Sequence, residues 1–332
     1  MPRFAKFCLI VIFLNTSMLV AATHLQQSLQ ELVKSGDHVG ICTLNNKEST
    51  PVCVNGEQKF LLQSVVKMIV GAAVLDAVDN KKMKLDDTIV LTPNDASPGP
   101  QELAKLIRSK GTLKVTIEEL MQRSIAESDS TSVDVLIKHL GGVSVVQDFL
   151  KRKNILDIRI DRDERTLQSE SLGLVWRSEY ANNKIFRAAV KKTPKKIRDA
   201  AWNSYLKDVR DTSTPIGMVN FLKALHSGEI LSKASTKKLL NIMTATTTGA
   251  DRLKAGLPKG WSVAHKTGSG ITWKGIASAT NDVGILTAPD GGWIVVAVFV
   301  GESKGPNHDR AAALIAESAR LITRAYLQQV IK

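Results

Sequence analysis

The stretch from Ser64 to Val78, Ser-Val-Val-Lys-Met-Ile-Val-Gly-Ala-Ala-Val-Leu-Asp-Ala-Val, is apolar on nearly every side of the helix it would form. A surface helix carries its apolar residues in one stripe, so a helix with no polar face has to be enclosed by its own domain. The chain must therefore supply layers around it, and 332 residues suffice for a large core in one or two domains. Periodicity predicts an amphipathic helix over 24–34 and a hairpin of strands at 38–44 and 51–55. Further helices are expected at 100–109, 117–126, 132–140, 143–151, 215–225 and 235–243. The pattern then changes: 261–265, 275–287 and 293–301 read as strands, with Pro289-Asp290-Gly291-Gly292 turning between the last two. A long amphipathic helix closes the chain at 309–331. The economical architecture is α/β: a five-stranded antiparallel sheet built from both chain ends, flanked by the N- and C-terminal helices, with an all-α domain inserted. The expected division is 23–60 with 246–332 for the α/β domain and 61–245 for the all-α domain.

Arg3 and Lys6 precede an apolar run from Phe7 to Leu14, and Val20-Ala21-Ala22 offers small residues for cleavage. This reads as a signal peptide over 1–22, too short to span a bilayer, and it predicts a secreted, periplasmic protein with no stable membrane insertion. Its removal would take away Cys8 and leave Cys42 and Cys53, on either side of the turn-like Asn45-Asn46-Lys47-Glu48. A cross-strand disulfide is expected in an oxidising compartment, against the alternative of two buried thiols. With three cysteines in all, a four-cysteine metal cage is excluded.

Ser64-x-x-Lys67 places a hydroxyl and an amine on one face at the start of the apolar helix. The same spacing occurs at Ser204-x-x-Lys207 and Ser235-x-x-Lys238, which read as solvated charge on ordinary helices. The first differs in its setting: an unpaired lysine among apolar residues is costly, and burial favours the neutral amine that can act as a base. Ser128-Asp129-Ser130 lies between two helices, and Lys266-Thr267-Gly268-Ser269-Gly270 ends a predicted strand. Singly, the one is a helix cap and the other a glycine-rich turn.

In the order Ser-x-x-Lys, Ser-Asp-Ser, Lys-Thr-Gly, these segments resemble the serine β-lactamases of class A and the related penicillin-binding enzymes. The resemblance extends from Phe60-Leu61-Leu62-Gln63 through Thr246-Thr247-Thr248-Gly249-Ala250-Asp251-Arg252 to Thr280-Asn281-Asp282-Val283-Gly284. Arg162-Asp163-Glu164-Arg165-Thr166-Leu167-Gln168 is similar to the class A Ω-loop segment, whose carboxylate the penicillin-binding enzymes lack; a surface salt-bridge cluster is the other reading. The resemblance implies that Ser64 attacks the β-lactam carbonyl, with the N–H groups of Ser64 and Ser269 as oxyanion hole. It implies Lys67, or Glu164 through a water, as the base, and Ser128 as proton relay to the leaving nitrogen, helped by Lys266. Glu164 and Gln168 would position the deacylating water, and the substrate carboxylate would meet Thr267, Ser269 and Arg252. Arg252 could equally be a surface cation, and the second position where relatives carry this arginine holds Lys274. No cofactor or metal is implied. A small β-lactam substrate and a monomer are expected.

Three departures stand out. Ser130 replaces an asparagine that holds both the lysine and the substrate amide; a lost hydrogen bond of that kind costs about 0.5–1.5 kcal/mol. Gln168 lengthens an asparagine by a methylene, which is expected to crowd the hydrolytic water. The stretch from Ser169 to Arg210 is an insertion before Asp211, the residue matching the family's loop-closing partner of Arg162. It carries 10 Lys+Arg against 4 Asp+Glu and reads as helical at 185–190 and 195–206. Enlarging the loop costs only about 1 kcal/mol in closure entropy, so the neck is expected to survive. A lid or altered substrate rim and a solvated basic bulge are both compatible with this segment. No aromatic gatekeeper is found, since Ala96-Ser97-Pro98-Gly99-Pro100 occupies that region.

The formal charge of +13 raises nucleic acid as a partner. Two units belong to Arg3 and Lys6, and 10 − 4 = 6 of the remainder lie in the insertion. The excess is local, so no nucleic-acid partner is expected. A D,D-peptidase and a slowly deacylating penicillin-binding protein remain as alternatives to β-lactam hydrolysis, distinguished in sequence by Glu164, Ser130 and Gln168.

Overall fold

The computed structural model describes residues 22–33, 38–99, 101–305 and 308–330. The expected leader, apart from Ala22, lies outside the described residues. In chain order the elements are α1 (22–32), β1 (His38–Asn45), β2 (Val52–Val54), β3 (Phe60–Leu61), α2 (Val66–Asp79), β4 (Thr88–Leu91), α3 (Glu102–Lys110) and β5 (Leu113–Thr116). Then come α4 (Ile117–Ala126), α5 (Ser130–Leu140), α6 (Val143–Arg152), β6 (Ile158–Arg159), α7 (Glu164–Glu170), α8 (Asn183–Lys192), α9 (Lys195–Leu206) and β7 (Thr212–Ser213). The chain ends with α10 (Pro215–His226), α11 (Lys233–Thr244), β8 (Ser262–Ser269), β9 (Thr272–Trp273), β10 (Ile276–Thr287), β11 (Trp293–Lys304) and α12 (Asp309–Val330).

The main sheet runs β2-β1-β11-β10-β8, the five antiparallel strands expected, with the two-residue β9 added beside β10. Alternation along the strands builds two apolar faces. Val39, Ile41, Val296, Val298 and Val300 pack against Leu25 and Leu29 of α1 and Ile315, Ala319, Ile322 and Tyr326 of α12. Leu44, Val283, Ile285, Val295, Ala297 and Phe299 face the helices instead. The β1–β2 register places Cys42 opposite Cys53, and the two form a disulfide with Cα atoms 4.1 Å apart. Closing so short a loop stabilises the fold by about 3 kcal/mol.

The apolar helix α2 is enclosed as its composition requires. Met68, Ile69, Val70, Ala72 and Val74 have no exposed surface, and they pack in one cluster with side chains of α4, α5, α6 and α11. Each large side chain buried this way contributes about 1.5–3 kcal/mol. Gly71 lies where a Cβ would come within 2.6 Å of Ile125. The first turn is a 3₁₀ turn over Gln63–Val65, entered through Gln63 at φ +52°.

Two small sheets escape a periodicity reading. In one, β7 lies between β3 and β6; in the other, β4 pairs with β5. The three-stranded one ties the chain entering Ser64 to both ends of the enlarged loop, since Leu62 N–H donates to Asp211 O at 2.9 Å. The neck has the expected pair: Arg162 Nε is 2.6 Å from Asp211 Oδ2, and Asp211 Oδ1 accepts from the N–H groups of Asp161 and Arg162.

Candidate active site

Ser64 lies in the 3₁₀ turn before α2, and Lys67 follows one turn later with only 1% of its side chain exposed. The buried amino group is ringed by polar partners. Its Nζ donates to Ser64 Oγ (2.9 Å), Ser128 O (2.7 Å) and Ser130 Oγ (3.1 Å), and it is 3.3 Å from Glu164 Oε1. Lys67 is hydrogen-bonded to Ser64 and also links it to the Glu164 carboxylate.

Asp129 plays the dull role its position suggests, capping α5 by accepting from the N–H of Ser132 at 2.8 Å. Its neighbours do the rest. Ser128 stands at φ +62°, a left-handed conformation that costs a serine about 1–3 kcal/mol. Its hydroxyl accepts from Lys266 Nζ at 3.0 Å, with Lys67 Nζ at 3.4 Å. Lys266 is fully buried, and burial, reinforced by repulsion from Lys67, holds its amine well below the usual lysine range. Such an amine gives up and regains a proton readily.

Glu164 opens α7, whose cap is Asp163, accepting from Thr166 N–H at 3.0 Å. Burial raises the Glu164 carboxyl, but attraction to Lys67 and hydrogen bonds from Gln168, Lys67 and Ser130 outweigh it and leave it below the usual range. Gln168 does not simply crowd the site. Its Nε2 donates to Glu164 Oε2 at 2.8 Å and to Ser130 Oγ at 3.3 Å, while Ser130 Oγ donates to Glu164 Oε2 at 3.2 Å. The longer residue at 168 reaches the shorter one at 130, so the two departures offset one another in space.

The strand β8 closes the other side. A Cβ at Gly268 would lie 2.6 Å from Leu62 O, so glycine lets the strand pass against the segment leading to Ser64. Thr267 Oγ1 is 2.6 Å from Thr248 Oγ1, and Arg252 is buried rather than a surface cation. Its guanidinium donates to Gly268 O (3.0 Å), Asn281 O (2.9 Å) and Ser269 Oγ (2.5 Å). His265 turns to the opposite sheet face as alternation predicts, with Nδ1 2.8 Å from Asp282 Oδ1. Lys274 does not join the site: it pairs with Asp199 of α9 at 2.8 Å.

Ser64, Lys67, Ser128, Ser130, Glu164, Gln168 and Ser269 line one cavity of about 400 Å³. A hollow of about 440 Å³ between β1, β11 and α12 is slightly larger, but it holds no serine–lysine pair and lies away from this chemistry. Among the described residues no group of three metal-ligating side chains occurs, and no helix is long and apolar enough to cross a membrane.

The family model of the β-lactamase enzyme family matches residues 24–326. The chain belongs to this family. It is 32% identical over 293 residues to the β-lactamase VEB-1 of Pseudomonas aeruginosa, covering 88% of this chain and 86% of that protein. The crystal structure of the TLA-1 extended-spectrum β-lactamase matches with TM-score 0.76 at 28% identity, over 92% of this chain and 99% of that one. A class A β-lactamase from Bacteroides cellulosilyticus DSM 14838 matches with TM-score 0.73 at 27% identity, over 92% and 98%. As a member of this family the protein is a serine hydrolase of the β-lactam amide.

Sequence reasoning missed Asp134, one turn beyond Ser130 on α5. Its Oδ1 accepts from the backbone N–H of Glu164 at 2.7 Å, and its Oδ2 from Ser97 Oγ at 2.5 Å and Arg165 Nε at 3.1 Å. The i+4 spacing from Ser130 was the available signal. Burial, with the nearby Asp163 carboxylate, pushes Asp134 up to about 7. The folded value lies above the unfolded value of about 3.9, so this group's stabilisation is complete below about pH 4. It is lost as pH rises towards 7. Asp134→Asn is expected to flatten the fall in unfolding free energy of this family member between pH 4 and 7. Urea melts at both pH values check this, and an unaltered slope would show that Asp134 stays ionised.

Proposed function

We propose that the β-lactam ring is opened by Ser64 and that Glu164 governs release of the product. Ser64 Oγ attacks the lactam carbonyl carbon and its proton leaves through Lys67, the side chain bonded to it. The N–H groups of Ser64 and Ser269 stabilise the oxyanion that forms. The C–N bond then breaks, and the ring nitrogen takes a proton from Ser128 Oγ, which regains the one Lys67 took from Ser64 across 3.4 Å, with Lys266 Nζ 3.0 Å from the same hydroxyl. Thr267, Ser269 and Arg252 receive the substrate carboxylate, with a guanidinium buried behind the strand as fixed positive charge. Glu164, helped by Gln168, takes a proton from the water that attacks the Ser64 ester; as the ester C–O bond breaks, a proton returns from Glu164 through Lys67 to Ser64 Oγ, and both groups are restored.

The observation that carries this reading is Glu164 itself. Its two oxygens join Lys67, Ser130 and Gln168 in one network with the nucleophile, as an acylating protein without deacylation would not need. The disulfide supports export to an oxidising compartment, the periplasm on the reading of the leader. The test is purified protein with a chromogenic cephalosporin. Sustained turnover is expected; one stoichiometric burst would point to a stalled binding protein, and release of D-alanine from a pentapeptide to a peptidase.

A further inference from the structure

We propose that the outer face of α8 and α9 docks the protein on a membrane surface rich in anionic phospholipid, without covering the cavity at Ser64. Docking of this kind needs nothing from the chemistry assigned to Ser64.

The charge of the insertion is neutralised unevenly. From Asn183 to Arg198 the chain carries seven basic residues and no acidic one. The four carboxylates of the insertion are all committed elsewhere. Glu170 and Asp208 pair with Arg162 and Arg210, Glu179 with Arg177, and Asp199 with Lys274. Among the described residues, Lys184, Arg187, Lys191, Lys192, Lys195 and Lys196 form no ion pair, and all six are exposed. The fold itself does not ask for this arrangement. The first turn of α9 holds Lys195 and Lys196 and no acid, the sign that a helix dipole disfavours there. An anionic surface brought up to these side chains relieves their mutual repulsion.

Helix geometry separates this face from the cavity. Phe186 is the inward residue of α8: it lines the cavity and packs edge-on to Tyr180, with centroids 5.6 Å apart. The helical period then sends Lys184, Arg187 and Lys191 away from the cavity, with Ile185 beside them 44% exposed. Helix α9 buries Trp202 and Tyr205 and presents Lys195, Lys196 and Ile197, the last 48% exposed. A Cβ at Gly173 would lie 3.0 Å from Ile197 Cγ2, which brings the exposed Val175 beside the same helix. Only Thr193 and Pro194 separate α8 from α9, so four lysines gather at one corner. The face is also held in place. Ala181 packs with Ala96 and Ala104 at one rim, and at the other Asp199 Oδ1 accepts from Trp273 Nε1 and Lys274 Nζ, each at 2.8 Å.

Cations alone would suit any polyanion, and the apolar side chains decide between them. A soluble polyanion would leave Ile185, Ile197 and Val175 in water. The headgroup region of a bilayer takes basic and apolar side chains together. Single-stranded nucleic acid calls for exposed rings on which bases stack, and Phe186, Trp202 and Tyr205 of these helices are buried.

The test sediments the exported protein with vesicles of equal parts phosphatidylglycerol and phosphatidylcholine, and with phosphatidylcholine alone. Binding is expected to the anionic vesicles only, falling at least about tenfold between low salt and about 0.5 M salt. A basic residue at such a surface contributes about fivefold, so Lys191→Gln with Lys192→Gln should weaken binding about twentyfold, as should Lys195→Gln with Lys196→Gln. Lys233→Gln with Lys237→Gln removes the same charge from the exposed side of α11 and should change it less than about twofold. Ile185→Ser with Ile197→Ser leaves the charge unchanged and should weaken binding about tenfold. Hydrolysis of a chromogenic cephalosporin by vesicle-bound protein should match that in solution. No binding to anionic vesicles at low salt would overturn the proposal outright. Equal losses from the α11 pair would reduce the effect to net charge and remove the docking face. Unaltered binding of the isoleucine variant would replace lipid by a soluble polyanion, and hydrolysis lost on the vesicles would show that the face covers the cavity.

Discussion

Replacing Glu164 with glutamine is expected to leave an opened β-lactam attached to Ser64 that outlasts the native adduct by a factor of about 10²–10⁴. Glutamine keeps the shape that Lys67, Ser130 and Gln168 pack around, but it cannot take a proton from water. Acylation through Lys67, which touches Ser64 at 2.9 Å, should continue. Intact-protein mass spectrometry after mixing with a penicillin should show the adduct accumulating; steady turnover with no adduct would remove Glu164 from the mechanism. The pH profile gives a second reading. Because Lys67 and the amide and hydroxyl donors hold this carboxyl below its ordinary value, its base function is present at neutral pH. It is lost as pH falls through the depressed value, so the acid limb of deacylation should lie below the usual glutamate range of about 4.3.

The second large effect is expected at the neck of the enlarged loop. Asp211 is 5% exposed, and besides pairing with Arg162 it accepts two backbone N–H groups. Asp211→Ala orphans those donors and leaves the buried Arg162 with only Glu170 and Asp208. Removing one member of such a buried pair costs about 3 kcal/mol or more. The loss falls where the segment carrying Glu164 joins the sheet that enters Ser64, so stability and deacylation should drop together while the acylation burst survives. Urea unfolding and burst amplitude measured on one preparation test this. A melt and a deacylation rate both equal to the native ones would show that the insertion's own contacts hold α7.

The elements of one strong period were legible in the sequence. The all-apolar composition of α2 required enclosure, and it singled out Ser64-x-x-Lys67 from two other copies of the same spacing. Helix α4 has the bounds its pattern predicts, and β10 and β11 lie within a residue of theirs except that β11 runs on to Lys304, three residues past the expected end. The two-residue strands β3, β6 and β7 had no such signal, because a pair that short has no period. The hairpin β4–β5 was hidden because α3 lies between its strands. Within the site, the residues that resemble family motifs converge, and Arg252, which could equally have been a surface cation, is buried behind β8. Lys274 was matched to an anion position by its place in the chain, yet it turns to Asp199. A contact between two exposed segments 75 residues apart leaves no mark on either. The offset between Ser130 and Gln168 was likewise invisible, since each departure reads alone as a defect and only geometry shows that they touch.

The order of the sheet has a consequence for self-association. The run Ile294 to Val300 of β11 is unbroken Ile-Val-Val-Ala-Val-Phe-Val, the kind of segment that recruits other chains when it lies at a free edge. Here it pairs on both sides, with β1 and with β10. The strand left at that end of the sheet is β2, only three residues long and bonded covalently to its neighbour through Cys53. The most adhesive strand of the sheet is thus paired on both sides, and the outer strand beyond β1 is too short and too firmly clipped to serve as a template for another copy.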